Sequence, residues 1–168
     1  RTACKAFSMR YSGIELNDIT AAPGLSVTVF LQGCPHHCPG CHNPTTWDFE
    51  GGKEFTPETM DMIVNGINAQ NILRNLCIMG GEPLAPQNSF LTDMIIKEVK
   101  DRYPEVKIYV WSGYTYEELQ LLCDSHIKHI LEQSDYLIDG RYIEELRDIT
   151  LEMRGSSNQR IIDLKEKI

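Results

Sequence analysis

The segment Cys34-Pro-His-His-Cys-Pro-Gly-Cys41 carries three cysteines spaced C-x3-C-x2-C, directly after the apolar run Val27 to Leu31. Closely spaced thiolates are soft ligands that select iron–sulfur clusters, zinc or copper(I). Protein-bound iron–sulfur clusters usually have four cysteine ligands, and no fourth cysteine follows here at motif distance. The spacing therefore predicts a cluster held by three cysteines, with one iron left open for a substrate.

A structural zinc site is the main alternative for the same three cysteines. The candidates for its fourth ligand are His36, His37 and His42. Zinc sites commonly combine two separated ligand pairs, whereas Cys77 and Cys123 each stand alone. His126 and His129 are three residues apart, and we expect them on the surface of a helix. Thiolate number and spacing thus favour an iron–sulfur cluster over zinc.

Charge and composition narrow the classes of function. The 168 residues carry a formal net charge of −8, which argues against a nucleic-acid partner and against an anionic membrane surface. No apolar run approaches the roughly 20 residues of a transmembrane helix, and the first ten residues lack the apolar core of a signal peptide. Half of the six cysteines are clustered, which fits a metal site in a reducing compartment. We therefore expect a cytoplasmic protein.

Strand-like and helix-like patterns alternate along the chain. The predicted strands are 25–32, 76–79, 106–111 and 136–138, and the predicted helices start at Thr56-Pro57, follow Gln87 and cover 117–126. Residues 11–14 are predicted as turn and irregular strand, and 45–53 as loop. Such alternation predicts a mostly parallel sheet with right-handed crossovers. Because four or five units cannot close an eight-fold barrel, we expect a partial, open β/α barrel of class α/β.

Three predicted strands end in polar, glycine-containing turns, the usual place for ligand contacts in parallel sheets. Gly80-Gly81-Glu82-Pro83 permits close backbone approach to a ligand, and Glu82 could accept hydrogen bonds from an ammonium group. Ser112-Gly113 and Asp139-Gly140 follow the next two strands. Each segment alone is also compatible with an ordinary turn. Paired with the cysteine loop on a neighbouring strand, the Gly80–Pro83 turn becomes a candidate site for the amine of a ligand, whose carboxylate or ribose Ser112-Gly113 could contact.

Five further side chains are interpreted from their sequence context. Trp47 and Trp111 are candidates for stacking on adenine, although core packing is the more common fate of tryptophan. His36 and His37 are predicted to be solvated loop residues. Cys77 lies within an apolar strand and is predicted to be a buried core cysteine.

The stretch Phe30 to Trp47, FLQGCPHHCPGCHNPTTW, resembles the activating enzyme of anaerobic (class III) ribonucleotide reductase, within the radical S-adenosylmethionine (SAM) superfamily. The resemblance extends, in order, from about residue 23 to the end of the chain. Its further strings are Gly80–Leu84, Val110–Tyr114, Leu137–Arg141 and Arg154–Arg160. The last two distinguish it from other small radical SAM enzymes, and the whole chain, 1–168, is expected to be a single radical SAM domain.

The resemblance implies two cofactors, a 4Fe-4S cluster and SAM. Cys34, Cys38 and Cys41 would bind three irons, and the amine and carboxylate of SAM would bind the fourth. The residues expected to contact SAM are Gly40, Cys41, His42, Gly80, Gly81, Glu82, Ser112 and Asp139. Reductive cleavage of SAM would give a 5′-deoxyadenosyl radical that takes hydrogen from a glycine in the large subunit of the reductase. A flavodoxin or ferredoxin-type protein would supply the electron, and no side chain is expected to act as a general acid or base.

Two departures and two alternatives accompany this resemblance. Ala21-Ala22 stands where the family usually has a polar residue before Pro-Gly. Gly40 stands where radical SAM enzymes often have an aromatic residue, and His42 is expected to supply the flat surface instead. The first alternative is another enzyme of this kind, either an activase of another glycyl radical enzyme or a small radical SAM enzyme that acts on a small molecule. The second is a non-catalytic zinc-binding interaction module. The string Arg154–Arg160 is hypothesised to contact the reductase.

Overall fold

A seven-stranded sheet runs through residues 8–166, which are the residues that the computed structural model describes. The strands are β1 (Arg10–Asp18), β2 (Ser26–Leu31), β3 (Lys53–Glu54), β4 (Asn75–Gly80), β5 (Ile108–Trp111), β6 (Tyr136–Asp139) and β7 (Arg160–Asp163). Their spatial order is β3-β1-β2-β4-β5-β6-β7. The central strands β2, β4, β5 and β6 are parallel, and β1, β3 and β7 are antiparallel additions at the two sides. The predicted open α/β sheet is therefore confirmed.

Helices form the crossovers between the parallel strands. They are α1 (Pro57–Ile67), α2 (Ser89–Arg102), α3 (Tyr116–Leu121) and α4 (Ser125–Gln133). Helix α1 lies between β2 and β4 in the chain, α2 between β4 and β5, and α3 and α4 between β5 and β6. Because these four strands are parallel, the loops that follow them are brought together at one edge of the sheet. None of the helices in residues 8–166 has the length and apolar character needed to cross a bilayer.

Strand β4 shows how the two faces of the sheet differ. Leu76 and Ile78 point into the large core beneath the helices, and both are fully buried. Cys77 points to the opposite face, where it packs in a smaller cluster with Ala22, Tyr109 and Ile138. The alternation follows from the two-residue period of a strand. It confirms that Cys77 is a buried core residue.

The start of α1 confirms the helix signal at Thr56-Pro57. The Thr56 hydroxyl accepts a hydrogen bond from the Thr59 backbone N–H, and the Thr59 hydroxyl accepts one from the Thr56 N–H. This reciprocal cap satisfies two donors that a helix start otherwise leaves unpaired. Pro57 occupies the first turn, where a missing N–H costs nothing.

The prediction of one helix over 117–126 is wrong, because the segment contains two helices. After α3 the chain turns at Cys123, whose φ of 48° is left-handed. Asp124 then caps α4, since its carboxylate accepts hydrogen bonds from the N–H groups of His126 and Ile127 at 2.8 and 3.2 Å. An aspartate that bonds to nearby backbone competes with continuation of a helix and favours a new start.

The edges of the sheet differ most from the sequence prediction. Strand β7 lies in the C-terminal tail, for which no strand was predicted, and it pairs with β6 from Tyr136↔Asp163 to Asp139↔Arg160. At the other side, β1 includes residues 11–14, and register shifts interrupt its pairing with β2, in agreement with the irregular strand predicted there. Lys53, predicted as loop, begins the two-residue strand β3.

A matched pair of leucines tests the core assignment. Leu76 is fully buried, whereas Leu121, at the end of α3, is 80% exposed. We expect Leu76→Ala to lower the free energy of unfolding by about 2–5 kcal/mol, because it removes buried methyl groups and leaves a cavity. Leu121→Ala should change it by less than about 0.5 kcal/mol. Urea unfolding of both variants gives the comparison, and equal effects would contradict the placement of β4 in the core.

Candidate metal and cofactor site

The cysteine loop begins at the end of β2 and is anchored to residues 45–48. The backbone N–H of Gly33 donates to the carbonyl of Thr46 at 2.7 Å, and that of Cys34 donates to Trp47 at 3.1 Å. The Gln32 side-chain amide donates to the carbonyls of two more residues in that segment, at 2.9 and 2.7 Å. The apolar strand therefore delivers the cysteines to the carboxyl edge of the sheet.

All three cysteines line one cavity of about 180 Å³. Cys34 is buried, and Cys38 and Cys41 are half-buried. The other residues lining the cavity are His36, Trp47, Gly80, Gly81, Trp111, Ser112, Gly113, Gly140, Tyr142 and Gln159. They come from the cysteine loop and its anchor, from the ends of β4, β5 and β6, and from the segment before β7. The structure thus brings together several parts of the chain that are far apart in sequence.

Burial raises the pKa of the Cys34 thiol to about 11. Hydrogen bonds from the backbone N–H groups of His36 and His37 lower this pKa, but their effect is smaller than that of burial. A thiol in this environment is neutral at neutral pH unless a cation replaces its proton. Bound metal deprotonates a thiol ligand outright. The site therefore suits a soft, positively charged group that binds thiolates.

Backbone N–H groups also surround the other two sulfurs. Burial raises the pKa of the Cys38 thiol, and the Tyr142 backbone N–H acts in the opposite direction by hydrogen bonding to its sulfur. The Asn43 N–H donates to the Cys41 sulfur at 3.4 Å. Hydrogen bonds of this kind stabilise thiolates and tune iron–sulfur clusters. The donor set and its surroundings fit a cluster.

Glu82 joins three loops at this edge of the sheet. Its buried carboxylate accepts hydrogen bonds from the Leu84 N–H and the Ser112 hydroxyl on one oxygen, at 2.9 and 2.8 Å. The other oxygen accepts from the Gly113 N–H at 2.6 Å and bonds the His36 ring nitrogen at 2.8 Å. Four donors of the chain itself thus bind the carboxylate, and a hydrogen bond from an ammonium group to Glu82 stays a prediction.

The Gly80-Gly81-Glu82 turn packs directly on the cysteine loop. The N–H groups of Gly81 and Glu82 donate to the carbonyls of Leu31 and Gly33 at 3.0 and 2.8 Å. A Cβ at residue 81 would collide with the Gly33 backbone, so the close approach requires glycine. The Asn88 side-chain amide completes the contact by donating to the carbonyls of Gln32, Gly33 and Glu82, at 3.1, 3.1 and 2.9 Å.

The two histidines inside the cysteine motif have different environments. His36 is not solvated, contrary to the sequence prediction, because its side chain is 5% exposed and packs edge-on against Tyr114. Its bond to Glu82 explains the burial, since a polar ring enters the interior only with a partner. His37 is exposed, as predicted, and stacks on Trp47 with the ring centroids 4.6 Å apart.

Four of the predicted SAM contacts, Gly40, His42, Glu82 and Asp139, lie outside the cavity lining, which does include Gly80, Gly81, Ser112 and Cys41. Asp139 is buried, and its carboxylate accepts hydrogen bonds from the Arg160 guanidinium at 3.0 and 2.5 Å and from the Tyr116 N–H at 2.7 Å. Two parallel hydrogen bonds between a guanidinium and a carboxylate fix the orientation of the two side chains relative to each other. Asp139 therefore ties β6 to β7 and to the start of α3.

His126 and His129 lie on the surface of α4, as predicted. Both side chains are about 40% exposed, and the Nδ1 atoms of both rings bond the Asp93 carboxylate on α2. Within residues 8–166, no three His, Cys, Asp or Glu side chains are arranged to hold a single metal ion. The described cysteines 34, 38, 41, 77 and 123 are all free.

Comparison with known proteins agrees with this donor set. A protein family described as a 4Fe-4S single cluster domain matches residues 20–162. The chain is 36% identical over 158 residues to the anaerobic ribonucleoside-triphosphate reductase-activating protein of Escherichia coli K12, covering 94% of this chain and all of that protein. It is 37% identical to the protein of that name from Vibrio cholerae, covering 90% and 96% of the two chains. For enterobacteria phage T4 the identity is 35%, with 91% and 93% covered.

The chain belongs to the family of anaerobic ribonucleoside-triphosphate reductase-activating proteins. Membership confirms the resemblance drawn from the Phe30–Trp47 stretch and the later strings. It also separates the chain from zinc-binding interaction modules, because the matching family is a 4Fe-4S domain.

Sequence reasoning missed several residues that build the site of this family member. Tyr142 and Gln159 line the cavity, and Asn88 holds the two glycine-containing loops together. The only signals for the first two were the strings Leu137–Arg141 and Arg154–Arg160, which flank or include them. Asn88 carried no signal, because it lies in an unremarkable helix start.

Glu82→Gln tests whether the carboxylate holds the site together. The amide has one acceptor oxygen, so at least one buried donor around it would lose its partner. We expect the free energy of unfolding to fall by about 1–3 kcal/mol, and iron uptake to fall with it. Glu98→Gln, the same change at an exposed residue of α2, is the control and should have an effect below about 0.5 kcal/mol. Equal stability and iron content in the two variants would contradict the role given to Glu82.

Proposed function

We propose that this chain activates an anaerobic ribonucleoside-triphosphate reductase by forming a glycyl radical on the large subunit of that enzyme. A 4Fe-4S cluster bound by Cys34, Cys38 and Cys41, and SAM, would be its cofactors. The observation that carries the proposal is the convergence of three thiols from one loop with the Gly80-Gly81 turn around one cavity. The names of the relatives supply the target.

The chemistry would come from the cofactors: the cluster supplies the electron that cleaves SAM into methionine and a 5′-deoxyadenosyl radical. The chain would bind and shield them. Cys34 lies deepest, and the two half-buried cysteines would hold the cluster toward the open side of the cavity. A carbon radical must be kept from water and from other side chains, so the cavity has to be covered while it exists.

For SAM we propose contacts around the open position left by the three cysteines. Gly80 and Gly81, together with Ser112, line the cavity and would lie against the methionine end. Gly40 and His42 flank Cys41 and would lie against the nucleoside, with the His42 ring 5.3 Å from that of Tyr142. Glu82 and Asp139 would act indirectly, through the loops that their carboxylates hold.

The partners proposed for the chain are both proteins. The cavity opens at the edge of the sheet, and the glycine-bearing loop of the reductase would enter there and cover it. A flavodoxin or ferredoxin-type protein would reduce the cluster. The chain itself would not bind the nucleotide substrate, a nucleic acid or a membrane, in keeping with its net charge of −8.

We further propose that the open sheet is the partial β/α barrel of radical SAM enzymes, and that residues 1–168 form one such domain. The four parallel strands with helical crossovers support this assignment. A cytoplasmic location is proposed because clustered thiolates require a reducing compartment.

Anaerobic reconstitution tests the proposal. After incubation with iron and sulfide, the chain should be brown and contain about four irons. With dithionite and SAM it should form 5′-deoxyadenosine, and with the reductase of the same organism it should give the electron paramagnetic resonance (EPR) signal of a glycyl radical. Replacing Cys34, Cys38 or Cys41 by alanine should abolish both products, whereas Cys123→Ala, at an exposed cysteine, should retain them.

The possible outcomes of this experiment test the proposed cofactors and the proposed target enzyme separately. A colourless chain that holds about one zinc ion after reconstitution would overturn it. Formation of 5′-deoxyadenosine without a glycyl radical on the reductase would leave the cofactors in place and reject the target.

A further inference from the structure

Tyr142 gives the cavity an aromatic wall on the side of the segment that follows β6. It lies three residues beyond the end of that strand and lines the cavity together with Cys38 and Cys41. The residue is half-buried, which leaves part of its surface accessible to a ligand. A flat, accessible side chain next to two candidate cluster ligands is in a position to contact whatever binds beside the cluster.

The backbone on both sides of Tyr142 is held by one loop of the C-terminal tail. The Asn158 amide donates to the Arg141 carbonyl at 2.8 Å, and the Ile143 N–H donates to the Ser156 hydroxyl oxygen at 3.2 Å. The Ser156 hydroxyl in turn donates to the Asn158 side-chain oxygen at 2.6 Å. Because both of its neighbours are bonded to the same loop, Tyr142 has a fixed backbone position.

The phenol group of Tyr142 is anchored as well. Its hydroxyl donates to the Glu144 carboxylate at 2.5 Å. The same carboxylate lies directly over Gly40, since a Cβ at residue 40 would collide with it. Gly40 has a φ of 76°, in the left-handed region that glycine enters without steric cost. The Tyr142 ring is therefore held beside the residue that separates the second and third cysteines of the motif from each other.

His42, on the other side of the third cysteine, meets the same ring. The centroids of the His42 and Tyr142 rings are 5.3 Å apart, and the planes are inclined at 53°. Two flat side chains thus stand together next to Cys41, where Gly40 contributes no side chain of its own.

The two tryptophans that line the cavity have their ring contacts with other parts of the chain. Trp47 stacks on His37 with the centroids 4.6 Å apart. The Trp111 indole N–H donates to the Met153 carbonyl at 2.8 Å. These contacts direct both indoles away from the residues that flank the third cysteine, which leaves Tyr142 as the aromatic residue of the cavity that is joined to them.

We infer that Tyr142 is a SAM-binding residue whose ring covers one face of the adenine. The inference rests on the proposed function, in which the nucleoside lies against Gly40 and His42. Every base has a π-face, so stacking on an aromatic side chain is favourable, and a purine gains more contact area from a ring than from an aliphatic group. Tyr142 would supply, from a distant segment, the flat surface that residue 40 lacks.

Anaerobic equilibrium dialysis of SAM against the reconstituted chain tests the inference, with the cluster kept oxidised so that SAM is not cleaved. Tyr142→Leu, which removes the ring and keeps an apolar side chain, should raise the Kd for SAM by about tenfold. Tyr142→Phe keeps the ring and loses only the bond to Glu144, and its Kd should stay within about threefold of the wild type. Tyr103→Leu, at a half-buried tyrosine directly after α2, is the control and should leave the Kd unchanged.

Two further readouts separate stacking from structural support. S-methylmethionine has the amine, carboxylate and sulfonium of SAM but no nucleoside, so its Kd should be the same for Tyr142→Leu and the wild type. The iron content of the two chains should also be equal, because the three cysteines are retained. Weaker binding of S-methylmethionine, or a lower iron content, would make Tyr142 a support of the cysteine loop and overturn the inference.

A measurement on the wild-type chain serves if Tyr142→Leu does not fold. A photoreactive analogue of SAM with an azide on the adenine ring is bound and irradiated, and the labelled residue is located by mass spectrometry. Label on Tyr142 is the expected result. Label on Trp47 or Trp111 without any on Tyr142 would place the adenine elsewhere in the cavity and overturn the inference.

The results distinguish this inference from the proposed function. A wild-type chain that carries a cluster but binds no SAM would reject the proposed function, and the inference with it. A wild-type chain that binds SAM would keep the function; an equal Kd for Tyr142→Leu and Tyr103→Leu would then overturn the role of Tyr142 alone.

Discussion

The buried carboxylate of Glu82 is the interaction on which the arrangement of the site depends. Its four donors come from three separate segments, with His36 in the cysteine loop, Leu84 in its own turn, and Ser112 and Gly113 at the end of β5. A charged group is stable in the interior only when its hydrogen-bonding capacity is met. Because the buried carboxylate of Glu82 needs all four donors, the three segments that carry them are held in fixed positions relative to one another.

A second carboxylate acts in the same way two strands further along the sheet. Asp139 receives Arg160 from β7 and the Tyr116 N–H from α3, and so closes the region between the parallel strands and the antiparallel edge. The two acidic residues stand at equivalent places, at or just beyond the carboxyl end of a parallel strand. They were predicted from sequence as ligands of SAM, and the structure shows them bonded to the chain.

The sequence was sufficient for the parts of the fold that local rules determine. Periodicity located β2, β4, β5 and β6, and capping chemistry located the start of α1 at Thr56. The sequence was insufficient where a single residue ends one helix and starts another, and where a strand pairs with a segment far away in the chain. Asp124 divides one predicted helix into two because its carboxylate bonds to backbone within three residues. Strand β7 is only four residues long, and its pairing with β6 crosses about 20 residues of irregular chain.

The residues of the site also fall into two groups, those that a local motif predicts and those that come from distant segments of the chain. Cys34, Cys38 and Cys41 are adjacent in sequence, so their spacing alone predicted a shared metal centre, and the structure places them around one cavity. Tyr142 also lines that cavity, but nothing in its residue type or its spacing from the cysteines marks it as part of the site. Its neighbour Arg141 is held by a residue from another segment, since the Asn158 amide donates to the Arg141 carbonyl at 2.8 Å. A local motif therefore predicts the side chains that would bind a cofactor, whereas the walls of the cavity depend on hydrogen bonds between segments that are far apart in the sequence.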